Sequence, residues 1–485
     1  MFTAVRRRIG SLALLVMIIG LAVPAAPLAA QTATTTGYDT AVAYQNIGST
    51  TATLSFAYYP LRSASPAQFV RTLAANAARS VNIGSVSFTG GTSTSAVRGS
   101  VVIAATQPLV AVTVQTPDLA TLRNKALSLG FLPSQATTNA YVPTFLRNAF
   151  SRTSLLAIQN ADTVPVDLTV SFYARTGNGT PLLTRSYAGL PPGASFQYSA
   201  ANLRALGTFD GSAVVTATGK IVATVMETAT DSSGALSSYE ALPQGSTQLA
   251  LPTMVCRADG RTTTLALQNT AGEGGATANL TFTFSNGITT TRTLAPNVKL
   301  QVNACNLGLA RGASAGLRIS SDGAPIAAIA KTDGNGYSAA YSAIGTSGTL
   351  LAAPLVRWTI SRYDTSASRR YRTQIYVQNA GDTPISAGNV VVEYYNGYGR
   401  LVGTHTLGAL TPGATQISHP RNATATSSTL QGQLNEFGYT PVLGGSALIR
   451  CVDPSGCQLA AIVRQLGANG GTSQVGEDYT AFVVE

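Results

Sequence analysis

A short pattern recurs four times along this chain, as Val42-Ala43-Tyr44-Gln45-Asn46, Leu156-Ala157-Ile158-Gln159-Asn160, Leu265-Ala266-Leu267-Gln268-Asn269 and Ile375-Tyr376-Val377-Gln378-Asn379. The Gln residues stand 114, 109 and 110 positions apart. A period of that size, long enough in each copy for one small domain, makes the chain an array of four similar modules. Its 485 residues are too many for one interior, so several cores are expected on length as well.

After each Gln-Asn pair comes an alternating segment: Leu54, Phe56, Tyr58; Leu168, Val170, Phe172; Leu280, Phe282, Phe284; Val390, Val392, Tyr394. Apolar residues at every second position predict half-buried strands. A turn follows in Leu190-Pro191-Pro192-Gly193, Leu294-Ala295-Pro296-Asn297 and Leu410-Thr411-Pro412-Gly413, where Pro presets the first central position and Gly or Asn supplies the positive φ after it. The first module keeps Asn76 there without the Pro. A hairpin opens next at Gly99-Ser100, Gly211-Ser212, Gly316-Leu317 and Gly445-Ser446, and a last strand is marked by Tyr239, Tyr341 and Tyr479.

Six or seven short strands in about 110 residues, with no 3.6-residue pattern, predict an all-β chain of four tandem antiparallel β-sandwich modules. The module resembles immunoglobulin-like domains in strand count and size, without the Cys-Trp-Cys core of antibody domains. The boundaries read as residues 31–140, 141–250, 251–352 and 353–485, after a leader at 1–30. Pro143, Pro252 and Pro354 fall at the junctions, and short linkers stiffened by Pro predict a rod. The first module departs from the others in its Thr-rich segment Gln31–Gly37 and at Asp118–Leu129, where a short helix is expected.

The leader has Arg6, Arg7 and Arg8, then the apolar run Leu12–Val23, then small residues from Pro24 to Ala30. That is the build of an export signal cleaved between Ala25 and Gln31, and it predicts a secreted or cell-surface protein with no membrane span afterwards. Without the leader, 28 basic residues face 20 acidic ones, an excess of +8 that favours anionic neighbours such as surface polysaccharide or another anionic polymer. Only 11% of residues are charged, so the surface is expected to be neutral and rich in hydroxyls.

Four cysteines in an exported chain predict disulfides, Cys256 with Cys305 and Cys451 with Cys457. No metal or cofactor is expected, since His405 and His419 lack a carboxylate cluster and read as surface imidazoles. The first three modules contain no His, and no paired acids recur in matching positions, so the chain reads as non-enzymatic. The recurring Gln-Asn pair reads as structural, its Asn bonding the backbone of the turn that follows.

A candidate ligand patch in the fourth module combines Trp358, Arg369, Arg370 and Arg372 with Tyr395 and Tyr398, guanidinium groups beside aromatic rings. No specific nucleic-acid partner is expected. The leading functional reading is a rod for display or multivalent attachment at a cell surface. Its alternatives are a carbohydrate-binding protein acting through the fourth-module aromatics, and a self-assembling subunit of a surface layer or pilus.

Overall fold

The computed structural model describes residues 12–18, 38–86, 98–117, 125–177, 179–231, 233–359, 370–438, 445–468 and 474–484. Its strands assemble into antiparallel sheets, with only short helical turns between them. The alternating residues read from the sequence are buried throughout. Leu54, Phe56, Leu168, Val170, Phe172, Leu280, Phe282, Val392 and Tyr394 are all sealed from solvent, while most of their neighbours on the other side of each strand are more exposed, Tyr173 and Tyr395 being buried as well.

Each repeat has two layers of strands with apolar side chains between them. In the first, Tyr38–Asn46 and Leu109–Pro117 lie in one sheet and Ala52–Pro60 and Gly99–Ala105 in another. Val42 and Tyr44 from one layer meet Leu54, Phe56 and Ile103 from the other, and Phe69 stacks on Phe56 at 4.5 Å. Burying each such side chain is worth roughly 1.5–3 kcal/mol, which makes these clusters the main source of stability. In the second repeat the layers are joined through one long strand, Phe209–Ala229: its first half pairs with Val166–Ala174 and its second with Arg152–Asn160. The third and fourth repeats follow the same order of strands.

The Gln-Asn pair builds the same local geometry four times. The Asn amide donates to a loop carbonyl and to the end of a neighbouring strand: Asn46 to Thr50 and Leu73, Asn160 to Val164 and Leu190, Asn269 to Ala276 and Leu294, Asn379 to Thr383 and Leu410. Its side-chain oxygen accepts the backbone N–H two residues on, at 2.7 to 3.0 Å. One buried amide thereby satisfies backbone groups that would otherwise lack partners. The turn after it has positive φ at Asn76, Gly193, Asn297 and Gly413, the position the sequence pattern requires.

Three sequence expectations are corrected. Ala126–Leu129 is a strand pairing with Leu109–Pro117, not part of a helix; residues 118–124 lie outside the described residues. Pro143 and Pro252 sit inside long first strands, Thr137–Ala149 and Gln248–Ala258, where the pairing register shifts. A residue without an N–H is tolerated at such a bulge, so these prolines mark bulges inside strands and not stiffened linkers between modules. The array is also not a rod. The last strands of the repeats, Ala126–Leu129, Leu236–Glu240, Tyr337–Ser342 and Gln474–Thr480, lie against one another in a closed cycle, the fourth returning to the first. The apolar cluster of the fourth repeat takes in Ala43, Val110, Val112 and Leu127 of the first.

Of the leader, the stretch Leu12–Ile18 is a strand paired antiparallel with Gly99–Ala105. It takes the sheet position that Thr137–Ala149 and Gln248–Ala258 occupy in the second and third repeats. The leader's other residues lie outside the described residues.

Candidate functional site

The four last strands surround a common centre because each is tied back into its own repeat. The buried hydroxyls of Tyr239, Tyr341 and Tyr479 donate to the carbonyls of Thr144, Thr253 and Leu355 at 2.5, 2.7 and 2.7 Å. Ser128 stands at the matching place in the first repeat and bonds instead across to Ser238 at 2.9 Å. The residue after each of these positions joins one repeat to the next. Leu129 N–H donates to Glu240 Oε1 at 2.6 Å, Ser342 Oγ donates to Glu240 Oε2 at 3.0 Å, and Thr480 Oγ1 donates to the Ser342 carbonyl at 3.3 Å.

Over this series of bonds lies an open cavity of about 510 Å³, lined from all four repeats by residues including Phe131, Leu242, Ile344 and Phe482. Its size is that of a small-ligand site, and its walls mix apolar side chains with neutral hydroxyls and amides. Glu240 is the acid in that wall. Burial pushes its carboxyl above the usual range, opposed by the bonds from Leu129 and Ser342. A second cavity of about 530 Å³ lies between the third and fourth repeats, beside the Arg318–Asp382 ion pair, and shares Leu249, Ile344 and Gly345 with the first.

Among the described residues, several other buried charges lie at the junctions. Between the second and third repeats, Lys331 Nζ pairs with Glu227 at 2.8 Å, and Lys299 bonds Thr144 Oγ1 at 2.9 Å and pairs with Asp210. Burial, with Lys331 nearby, lowers Lys299 to about 8 against the pull of Asp210. Arg152 reaches Asp333 at 2.5 Å across the same junction. Between the third and fourth, Tyr337 donates to Asp478, which Arg464 holds with two bonds of 2.8 and 2.7 Å. Among the described residues, no three His, Cys, Asp or Glu side chains gather as a metal site.

No family model matches this chain. No curated protein matches it either. One solved structure, a tetra-tandem repeat in the extending region of a large adhesion protein, aligns over 92% of this chain and 95% of its own at 12% identity, with a TM-score of 0.11.

The fourth-repeat patch is not gathered into one surface. Trp358 is 7% exposed and stacks on His419 at 4.5 Å, with Arg372 over its ring at 6.0 Å. Tyr395 is buried and donates to Glu393 at 3.0 Å, whereas Tyr398 is 64% exposed and lies under Arg79 of the first repeat. Arg370 is in the strand Arg370–Asn379, and Arg369 lies outside the described residues. The histidines are half-buried and not surface imidazoles: His405 Nδ1 is 2.8 Å from Ser418 Oγ, which also meets the Tyr394 hydroxyl at 2.7 Å. Burial lowers the pKa of both imidazoles. Two disulfides join Cys256 to Cys305 and Cys451 to Cys457, staples within the third and fourth repeats.

Sequence reasoning did not find Glu240, Glu227, Lys331, Lys299 or Arg464. The signal was present: in a chain with 11% charge, isolated ionic residues inside apolar strands, such as Glu227 after Val225-Met226, need a partner.

Proposed function

We propose that this is an exported, non-enzymatic structural or adhesive surface protein made of four tandem immunoglobulin-like antiparallel β-sandwich modules. The modules close into a ring and present a compact block in place of the rod expected from sequence. Export is supported by the leader's composition and by two disulfides, which persist in oxidising compartments. The observation that carries the non-enzymatic reading is the state of Glu240. Both of its carboxylate oxygens accept protein hydrogen bonds, so the acid beside the central cavity acts as a clamp between repeats and is not poised to move a proton.

Attachment to neutral or anionic surface polymers fits the mixed hydroxyl and amide walls of the cavities and the chain's net positive charge. The carbohydrate-binding alternative through the fourth-repeat aromatics is disfavoured, because Trp358 and Tyr395 offer no open ring face for stacking and the exposed Tyr398 stands apart from them with Arg79 over its ring. Incubating the protein with immobilised surface polysaccharides, while assaying the same polymers for released fragments, tests the reading. Retention without fragments supports it. Fragment release that stops in a Glu240→Gln variant overturns it.

A further inference from the structure

The junctions between consecutive repeats share parts. The start of one hairpin strand, Gly-Ser in the first and second repeats and Gly316-Leu317 in the third, meets the turn before a strand of the next repeat, and the recurring Gln of the third and fourth repeats reaches back to the repeat before. Ser100 Oγ donates to the Gly193 carbonyl at 2.7 Å, and Ser212 Oγ to the Asn297 carbonyl at 2.7 Å. The amide of Gln268 reaches back to the Ala213 carbonyl at 3.4 Å, and that of Gln378 to Leu317 at 3.3 Å.

The junction of the fourth repeat with the first is built from the same parts without their bonds. Ser446 stands where Ser100 and Ser212 do, and Gln45 where Gln268 and Gln378 do. Both are wholly buried, yet Ser446 Oγ and both polar atoms of the Gln45 side chain have no hydrogen-bond partner in the protein. Contact is nonetheless close. Arg79 bonds the Gly397 carbonyl, and a Cβ placed on Gly399 would fall 1.9 Å from the Ala75 carbonyl oxygen. The other three junctions are also bridged by short covalent linkers, and this one joins residues far apart in the chain.

We propose that this junction is a docking surface between copies of the chain, in which the fourth repeat of one molecule leaves its own first repeat and seats on the first repeat of a second. The occupant is another copy because the two faces already fit each other within one molecule. They are different faces, so pairing them between molecules is head-to-tail and extends into closed multimers or filaments. Within one molecule the tether favours closure, and exchange begins where copies are crowded. The inference rests on the ring and not on the adhesive reading, so polymer binding can fail while it stands.

Two variants of the full protein test it. Ala43 is buried against the fourth repeat, on the face of its strand away from the first repeat's own core, so Ala43→Arg blocks the first-repeat face. Gly399→Arg drives a side chain into the backbone of Ala75 and blocks the fourth-repeat face. Each variant alone is expected to be an open monomer with unchanged β circular dichroism, and an equimolar mixture to sediment as a one-to-one complex through the two intact faces. A mixture that stays monomeric, or variants that remain as compact as wild type, overturns the proposal. A second arm needs no variant: two wild-type populations carrying different fluorophores are mixed in urea below the unfolding transition. Energy transfer between copies is expected, and its absence counts against exchange even if a variant fails to fold.

Discussion

The carboxylate of Glu240, in the second repeat, accepts the backbone N–H of Leu129, in the first, at 2.6 Å, while its other oxygen accepts from Ser342 of the third. One side chain thereby holds three repeats at the centre of the ring. Glu240→Ala removes the acceptor of the Leu129 N–H, while the Ser342 hydroxyl keeps the Glu240 backbone carbonyl at 3.3 Å. It is expected to cost about 1–3 kcal/mol for the one donor left unpaired, measured as a lower urea midpoint with an unchanged slope. No change in midpoint would show that the clamp is not needed.

The pair Lys331 and Glu227 is a buried ionic tie between the second and third repeats. Glu227 has a side chain 1% exposed, and it also accepts the Tyr239 hydroxyl at 3.1 Å. Lys331→Met strands that carboxylate and is expected to lower stability by about 3–5 kcal/mol. Adding Glu227→Gln to it should recover most of the loss, since neither group is then an unpaired charge. A double variant as unstable as the single one would contradict this.

Glu477 gives the protein a pH dependence of a particular sign. It is buried near the junction that closes the ring, and its Oε2 has no hydrogen-bond partner in the protein. Burial pushes its carboxyl up to about 7, opposed by Lys125 and Arg357 and reinforced by Asp478. An acid whose folded pKa is raised favours the folded state when protonated. Stability from this group is therefore full below the ordinary Glu range and falls as pH rises through it to about 7. Glu477→Gln should flatten that fall, which thermal unfolding between pH 4 and pH 8 would record on both proteins. Identical profiles would sink the assignment.

The two disulfides should contribute unequally. Cys256 and Cys305 are 49 residues apart and Cys451 and Cys457 are 6 apart. Loop-closure entropy gives about 4 kcal/mol for the longer loop and about 2 kcal/mol for the shorter. Replacing each pair by Ser, one pair at a time, and comparing urea midpoints checks the order. A larger loss from the short hairpin would reverse it.

Leu54, Phe56 and Tyr58, with their three sets of counterparts, were legible in the sequence because a strand with one face in a core must alternate. Asn76, Asn297, Gly193 and Gly413 were legible because positive φ restricts the residues that can stand there. Ring closure was not. It depends on contacts such as Arg79 with the Gly397 carbonyl, 318 residues apart, whose spacing follows no local period. Pro143 and Pro252 misled for a related reason: a residue without an N–H suits a bulge as well as a boundary, and only the partner strand tells the two apart. Trp358 misled because an aromatic ring near arginines looks the same in a sequence whether it stacks on a ligand or, as here, on His419.

Closure of the ring is tested most directly by small-angle X-ray scattering of the dilute protein. A compact chain of this length has a radius of gyration of about 23 Å, whereas four modules strung end to end would reach about 40 Å. A value near the first, with a single-peaked distance distribution, is what the closed arrangement predicts. A value near the second, with a long tail of large distances, would contradict it.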